Sequence, residues 1–408
     1  MRGPDSGAPT RADADRLDQT HGLGTRDRFL LPERLVYLDG NSLGALPAGV
    51  PGRVEAVLRE EWGQGLIRSW NAVPSGGGDW ITLAARVGDR IAPLIGAGTG
   101  EVHVGDSTSV SLFKALSAAA RARPERRVIV VEPTTFPTDG YVAAGVADLL
   151  GLELRWCDPA DPLAAVDGDV VVLALTHVDF RTGAMFDLPG ITAGAHDAGA
   201  LVLWDLCHSV GSVPLALDDW GVDLAVGCTY KYLNGGPGAP AFCYVAARHL
   251  DALTQPIQGW MGAVDPFLMG PTYAPAEGIR RFLSGTPPIV GMLALQDMLA
   301  LVEEVGMAAV REKSVALTEH AIGLSDELLA PSGVEVASPR DASRRGGHVT
   351  LNHPLMREVT AALWEQDVIP DYRDPHGLRI GLSPLSTSFD EVERGLESVR
   401  EVLARVTT

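Results

Sequence analysis

Between about residues 100 and 245, short runs of consecutive apolar residues alternate with alanine-rich stretches of helical character. The strand-like runs lie at residues 127–131, 170–175, 201–204 and 223–226, and helical stretches at 111–121 and 191–198 precede two of them. Runs that are apolar throughout, rather than at every second position, are typical of strands covered on both faces. The alternation therefore predicts an α/β fold with a mostly parallel sheet wrapped by helices. Ligands of such sheets bind beyond the carboxyl ends of the strands.

The composition excludes several classes of protein. The 52 acidic and 33 basic residues of the 408-residue chain give a net charge of -19, which argues against a surface for nucleic acid or anionic membranes. The chain has no run of about 18 apolar residues, and its first 20 residues lack the apolar core of a secretory signal. Four scattered cysteines do not suit a disulfide scaffold or a metal site. We therefore expect a cytoplasmic protein without a bound metal.

The pattern along the chain predicts three segments. Residues 1–60 form an N-terminal segment that begins as a mobile arm, with one short helix near residues 12–18, and then joins the small domain. Residues 61–290 form the large domain. Residues 291–408 form a smaller α+β domain with amphipathic helices and two short strands. Its last helix begins with a capping box at residues 388–391, after which apolar residues recur at helical spacing.

Two predicted strand ends carry side chains suited to cofactor chemistry. The run at 201–204 leads directly into Asp205 and then His208, and the next run leads to Lys231. A lysine amine can form a Schiff base with pyridoxal 5'-phosphate (PLP), and a carboxylate can pair with the pyridinium nitrogen of that cofactor. A structural ion pair at the edge of the sheet is the alternative interpretation of the acid and the amine.

Three further features support a site at the strand ends. Residues 105–109 (Gly-Asp-Ser-Thr-Ser) precede a helix and predict an anion site at its N-terminus, although they also suit an ordinary N-cap. Another strand is followed by the aromatic Phe136 and the carboxylate of Asp139. In the small domain, Arg379 alternates with apolar residues and so points away from that domain's core. Its guanidinium could bind an α-carboxylate or remain a solvated surface group.

Six segments, in order along the chain, resemble kynureninase, a PLP-dependent hydrolase of the fold-type I aminotransferase superfamily. They are residues 37–44 (Tyr-Leu-Asp-Gly-Asn-Ser-Leu-Gly), 62–71 (Trp-Gly-Gln-Gly-Leu-Ile-Arg-Ser-Trp-Asn), 136–139 (Phe-Pro-Thr-Asp), 204–208 (Trp-Asp-Leu-Cys-His), 230–234 (Tyr-Lys-Tyr-Leu-Asn) and 285–288 (Gly-Thr-Pro-Pro). The resemblance is greatest to bacterial members. It implies the PLP fold-type I, a homodimer with a shared active site, and hydrolysis of L-kynurenine to anthranilate and L-alanine. That reaction belongs to the kynurenine pathway of tryptophan catabolism and NAD biosynthesis.

The resemblance also implies a role for each matching residue. Lys231 would bind PLP covalently, Asp205 would pair with its ring nitrogen, and Tyr230 would contact the cofactor and act as a general acid or base. Further cofactor contacts are expected from Thr108, Ser109, Phe136, Asp139, Thr176, His208 and Trp260, and from Thr286, which the partner subunit would supply. Arg379 would bind the substrate carboxylate. The remaining substrate contacts are expected from Trp70, Asn41, Ser42 and Gly285.

Three alternatives stay open. Trp70, Gly285 and Thr286 suit the bacterial type of pocket and favour unsubstituted kynurenine, but the glycines at 76–78 belong to an insertion relative to the family. A ring-substituted substrate, such as 3-hydroxykynurenine or a secondary-metabolism analogue, is therefore the first alternative. Cysteine desulfuration or transamination on the same fold is the second, although no cysteine follows Cys243 to serve a desulfurase. A catalytically silent PLP-fold binding protein is the third, and the intact catalytic residues argue against it.

Overall fold

The computed structural model describes residues 11–74, 76 and 78–407, and the protein divides into two compact units. The terminal unit comprises the described residues up to Ala48, the segment Arg181–Met185 and the chain from Val302 onward. The central unit comprises Gly49–Phe180 and Phe186–Leu301. The domain boundaries expected near residues 60 and 290 stay a prediction, because compactness alone does not define an independently folding domain.

Both units contain helices and strands, which are numbered in chain order. The helices are α1 (Arg11–His21), α2 (Val50–Ala56), α3 (Leu83–Ile91), α4 (Thr108–Ala122), α5 (Pro137–Leu150), α6 (Leu188–Asp197), α7 (Leu293–Val305), α8 (Met307–Leu328), α9 (Met356–Trp364) and α10 (Phe389–Val406). The strands are β1 (Val36–Tyr37), β2 (Val102–Val104), β3 (Val128–Val131), β4 (Glu153–Trp156), β5 (Val170–Thr176), β6 (Leu201–Asp205), β7 (Leu224–Gly227), β8 (Phe242–Val245), β9 (Glu335–Val336), β10 (His348–Asn352), β11 (Val368–Ile369), β12 (Asp371–Arg373) and β13 (Gly377–Gly381). Within the described residues, no helix is both long enough and apolar enough to cross a membrane.

The central unit contains a seven-stranded sheet with the order β2-β8-β7-β6-β5-β3-β4. Neighbouring strands from β7 to β4 are parallel, whereas β8 runs antiparallel to both β7 and β2. The predicted parallel sheet is thus confirmed for its larger part. The whole sheet is mixed because no helix crosses over between β7 and β8, and a parallel neighbour needs such a crossover.

The strands predicted from apolar runs correspond to β3, β5, β6 and β7, and every residue in these four strands is buried. Helices α4 and α5 contribute side chains such as Leu112 and Val146 to the same hydrophobic cluster as Ile129 of β3 and Val172 of β5. Removing a side chain of this size from water stabilises the fold by about 1.5–3 kcal/mol. The rigid sheet that results holds the strand ends, and the residues that follow them, at fixed positions.

The terminal unit is built on a four-stranded antiparallel sheet with the order β12-β13-β10-β9. The short strands β1 and β11 pair in parallel beside it as a separate two-stranded sheet. Helix α8 contacts β10, α9 contacts β13, and α10 packs against both helices. This C-terminal region therefore has five strands rather than the two predicted. Three of the five contain only two or three residues, which is too short for a periodic pattern to be recognised.

The N-terminal helix α1 is packed into the terminal unit rather than forming a mobile arm. Ala14 is fully buried, and the carboxylate of Asp18 accepts a hydrogen bond of 3.0 Å from the backbone N–H of Phe389, at the start of α10. The capping box predicted for that helix is present, because Ser388 and Glu391 each accept a hydrogen bond from the other's backbone N–H. Residues 1–10 of the expected arm lie outside the described residues.

Candidate active site

The carboxyl ends of β5, β6 and β7 form the centre of the site. Thr176 and Asp205 are the last residues of β5 and β6 and are direct register partners. Lys231 follows β7, and its Nζ atom lies 2.9 Å from Nε2 of His208. Parallel strands end at one edge of the sheet, so the side chains that were predicted at separate strand ends converge there.

A second carboxyl group lies beside Asp205. Asp205 is buried, and its Oδ1 accepts a hydrogen bond of 2.7 Å from the backbone N–H of Cys207. Burial, and then the charge of Asp205, raise the pKa of Asp139 well above its usual value. Thr135 Oγ1 donates to Oδ2 of Asp139 at 2.9 Å and orients that side chain. A protonated Asp139 can donate a hydrogen bond to Asp205 and favour its ionised form, which a pyridinium nitrogen needs as its partner.

Two aromatic rings lie near the Lys231 amine. The ring centroids of Phe136 and Tyr230 are each 5.9 Å from Nζ. Phe136 is 45% exposed and packs edge-on against Phe180, with 5.3 Å between the ring centroids, so its orientation is held while it stays accessible. Burial, and then the neighbouring Cys228, raise the pKa of Tyr230 above its usual value. The Tyr230 hydroxyl therefore stays protonated at neutral pH and can donate a proton.

The N-terminus of α4 provides the predicted anion site. Ser107 is the N-cap and accepts a hydrogen bond of 3.3 Å from the backbone N–H of Val110. Thr108 and Ser109 occupy the first turn, where backbone N–H groups have no partner within the helix. Residues 105–107 line a cavity of about 360 Å³ together with residues 283–288, which include Gly285 and Thr286. Thr286 of the same chain thus lines this cavity, and its expected role in a partner subunit's site stays a prediction.

Trp70 and Trp260, predicted to contact substrate and cofactor, lie next to each other. Their ring centroids are 6.2 Å apart in an edge-on arrangement. Trp80 packs edge-on against Trp70 at 5.8 Å, and Phe267 packs against Trp260 at 6.0 Å. Edge-to-face contacts of this kind are favourable geometries for aromatic pairs. The glycines at 76–78 are separated from Trp80 by Asp79 alone, and residue 77 lies outside the described residues.

Arg379 belongs to the terminal unit, and only 1% of it is exposed, so the alternative of a solvated surface arginine is wrong. Its Nε donates to Oδ1 of Asp371 at 3.0 Å, and its Nη2 donates to Ser42 Oγ at 2.6 Å and to Oδ2 of Asp371. When its amide is oriented to suit both neighbours, Asn41 accepts from Arg379 Nε at 3.0 Å and donates to Asp39. The three predicted substrate contacts of this unit therefore belong to one hydrogen-bonded cluster.

Asp371 has no counterpart among the residues predicted from the sequence. It lies directly opposite Arg379 in the register of β12 and β13, where it receives the guanidinium. Burial, and then the charge of Asp371, raise the pKa of the neighbouring Asp39 to about 7. The only sequence signal for this ion pair is that an acidic residue precedes the arginine by eight positions, with a turn between them. That spacing predicts a cross-strand pair only once both strands are known.

The residues of the central unit fit PLP. The amine of Lys231 would hold the aldehyde carbon, the buried carboxylate of Asp205 would hold the ring nitrogen, and Phe136 would contact the ring face. The first turn of α4, with Thr108 and Ser109, would hold the phosphate, because a helix N-terminus presents free N–H groups and a partial positive charge.

Comparisons with known proteins agree with this assignment. The family described as "Kynureninase C-terminal domain" matches residues 310–399. The chain is 46% identical over 406 residues to the kynureninase of Pseudomonas fluorescens, a match that covers 98% of this chain and 96% of that protein. It is also 46% identical over 402 residues to the kynureninase of Burkholderia pseudomallei strain 1106a, covering 97% and 95% of the two chains.

Solved structures confirm the predicted fold. A cysteine desulfurase from Thermococcus onnurineus NA1 matches with a TM-score of 0.77 at 20% identity, covering 98% of this chain and all of that one. An alanine–glyoxylate aminotransferase from Nostoc sp. matches with a TM-score of 0.67 at 19% identity, covering 93% and 96%. At these identities the structures show the PLP fold-type I and no more, whereas the near full-length relatives show the family. The chain belongs to the kynureninase family, whose members are PLP-dependent hydrolases.

Proposed function

We propose that the chain hydrolyses the Cβ–Cγ bond of L-kynurenine in the cytoplasm, consuming one water molecule and releasing anthranilate and L-alanine. The observation that carries this proposal is the convergence of the Lys231 amine, the His208 imidazole and the buried carboxylate of Asp205 at one edge of the central sheet. When bound, PLP supplies an electron sink for the bonds at the α and β carbons of an amino acid.

Lys231 has two tasks in this proposal. Its amine holds the cofactor before substrate enters, and as a free amine it then removes the proton from Cα of the substrate. His208, 2.9 Å away, is positioned to exchange a proton with that amine. Asp205 would hold the ring nitrogen of the cofactor, and beside it lies Asp139, whose pKa is raised by burial and by the charge of Asp205.

Tyr230 is the proposed proton donor at the γ-carbonyl oxygen of the substrate. Addition of water to that carbonyl places negative charge on its oxygen, and a nearby O–H group stabilises the charge. The Tyr230 phenol, whose pKa is raised by burial and by the neighbouring Cys228, is protonated at neutral pH and so carries the O–H group that this role needs.

The substrate is oriented, in this proposal, by its carboxylate and by its aryl ring. Arg379 would bind the carboxylate, supported by Asn41 and Ser42, because a guanidinium forms two parallel hydrogen bonds to such a group. Trp70 would contact the aryl ring, and Gly285 and Thr286 would complete the pocket. Trp70, Gly285 and Thr286 favour unsubstituted kynurenine over 3-hydroxykynurenine.

The test is turnover by the purified, PLP-reconstituted protein with each of the two substrates in separate assays. We expect one L-alanine for each anthranilate, with a higher kcat/KM for kynurenine than for 3-hydroxykynurenine. Transfer of the amino group to a keto acid, or sulfide release from cysteine, in place of these products would contradict the proposal. Borohydride trapping adds a second test, because the chain has only three lysines, at positions 114, 231 and 313, and the label is expected on Lys231 alone.

We also propose that two copies associate through an apolar surface of the central unit. Its exposed side chains are Ile67, Phe267, Leu268 and Met269, and Met269 is 83% exposed. Residues 267–269 are three consecutive exposed apolar side chains, and exposed apolar patches commonly mark protein–protein interfaces. Sedimentation velocity should give about twice the 43.1 kDa chain mass, and Leu268→Glu with Met269→Glu should shift the protein toward the monomer. A monomeric unsubstituted protein would contradict the dimer.

A further inference from the structure

The central unit contains a second buried lysine, to which the proposed reaction gives no role. Lys114 lies on α4, about two turns beyond the Thr108–Ser109 turn, and only 1% of it is exposed. Lysine is almost never buried to this degree unless its ammonium group is paired. The partners of Lys114 therefore indicate what the buried charge does.

One partner of this ammonium group lines the cavity at the α4 N-terminus, and the other is adjacent in sequence to a lining segment. Lys114 Nζ donates to Oδ2 of Asp106 at 2.5 Å and to the backbone oxygen of Phe282 at 2.7 Å. Asp106 lines the cavity of about 360 Å³ directly, and Phe282 immediately precedes residues 283–288, which also line it. One side chain thus joins the two segments that surround the anion site.

Asp106 needs such a partner for two reasons. Its backbone has a φ of +56°, a left-handed conformation that is unfavourable for a residue other than glycine unless neighbouring contacts hold it. Its carboxylate also lies just before the helix N-terminus, where an uncompensated negative charge would repel a phosphate. Lys114 supplies both the contact and the opposite charge.

His103 is a further titratable group near Lys114. It is buried, and neither ring nitrogen has a hydrogen-bond partner within the described part of the chain. Burial, and then the charge of Lys114, lower the pKa of His103 to about 3. The imidazole is therefore neutral at the working pH, and it does not compete with Lys114 for the charge of Asp106.

We propose that Lys114 is a positioning residue for the phosphate of PLP: its ammonium group neutralises Asp106 and fastens the 105–107 loop to the segment that begins at Phe282. This inference rests on the proposed function, because it concerns the cofactor site of that enzyme. It adds a residue that acts through Asp106 and Phe282 rather than through the reacting atoms.

The test compares PLP with pyridoxal, which lacks the phosphate, in titrations of the apoprotein followed by absorption. Lys114→Met keeps the length of the side chain and removes its charge. We expect the Kd for PLP to rise by at least about tenfold, because charge-assisted contacts are among the strongest that a loop can lose. The Kd for pyridoxal should change by less than about twofold. Lys313→Met, which removes the buried lysine of the terminal unit, is the matched control and should change neither Kd.

A paired variant, Lys114→Met with Asp106→Asn, removes both charges. Because replacing both partners leaves no unpaired charge, this variant should fold even if the single variant does not, and its Kd for PLP should rise by less than about tenfold, the remaining loss reflecting the missing contact with Phe282. The proposal is overturned if Lys114→Met weakens PLP and pyridoxal equally or not at all, or if the paired variant binds PLP at least about tenfold more weakly than the unsubstituted protein. Failure of the unsubstituted protein to bind either compound would overturn the proposed function instead.

Discussion

The Nζ atom of Lys231 lies 2.9 Å from Nε2 of His208, although the two residues are 23 positions apart in the chain. They follow the neighbouring parallel strands β7 and β6, whose ends lie at the same edge of the sheet. A nucleophilic amine needs a partner that can take up its proton, and the imidazole is within hydrogen-bond distance to do so. This pair is the centre around which the other residues of the central site are arranged.

Replacing Lys231 with Ala should abolish the visible absorption of lysine-bound cofactor and lower kcat by at least about a thousandfold. Both the covalent attachment and the proton transfer at Cα are lost, and a positioned acid or base alone contributes about 10²–10⁴-fold. Absorption spectra and anthranilate formation after reconstitution with PLP measure the two effects. The buried Lys313 offers the control, since Lys313→Ala should keep both properties. If Lys231→Ala kept both the absorption and the turnover, the role assigned to Lys231 would be excluded.

Asp205→Asn should lower kcat much more than Asp139→Asn does. Asp205 acts through its charge, so its amide variant should lower kcat by at least about a hundredfold. Burial and the charge of Asp205 raise the pKa of Asp139 and so favour its neutral form, and an amide in its place should lower kcat less than Asp205→Asn does. Steady-state kinetics of the two variants, at the same PLP saturation, make the comparison. Equal losses would show that Asp139 also acts as an anion.

Arg379→Lys should raise the KM for kynurenine by at least about tenfold with a smaller change in kcat. Lysine keeps the positive charge but lacks the planar guanidinium group, which forms two parallel hydrogen bonds to a carboxylate. Asp371→Asn should change KM in the same direction, because Asp371 holds the guanidinium through Nε and Nη2. Arg340→Lys is the control, because Arg340 pairs with Asp326 at an exposed position. A fall in kcat at constant KM would argue against a carboxylate-binding role.

Asp39 and Asp223 should give opposite dependences of stability on pH. Burial, and then Asp371, raise the pKa of Asp39 from 3.8 to about 7, so its contribution is fully present below pH 3.8 and is lost as pH rises through 7. Against the effect of burial, hydrogen bonds from His249 and His196 lower the pKa of Asp223 from 3.8 to about 2. The contribution of Asp223 is therefore present above pH 3.8 and is lost as pH falls through 2.

Thermal unfolding from acid to neutral pH checks these signs. Asp39→Asn should reduce the decline of stability between pH 3.8 and 7. Asp223→Asn should cost about 2 kcal/mol at neutral pH and little near pH 2. A larger loss for Asp223→Asn in acid than at neutral pH would reverse the assigned sign.

The amino-acid sequence was sufficient to locate the buried strands and the residues that follow them. A strand that is buried on both faces must be apolar throughout, so β5 and β6 could be recognised without knowing their neighbours. The positions of Asp205 and Lys231 after buried strands, and the capping box at Ser388, depend only on short-range order. Chain-long similarity of motifs then pointed to the family.

Which distant side chains meet depends instead on the three-dimensional packing of the chain. Lys114 and Phe282 are 168 positions apart, and Asp371 meets Arg379 through the register of two strands. Periodicity within a segment tells which face a side chain occupies, but not which segment covers that face. The alternation of apolar residues thus predicted which face of β13 Arg379 occupies. Its burial results only from the packing of other segments against that face. The same holds for Asp139, because a pKa depends on every charge and every solvent-excluding group around the carboxyl.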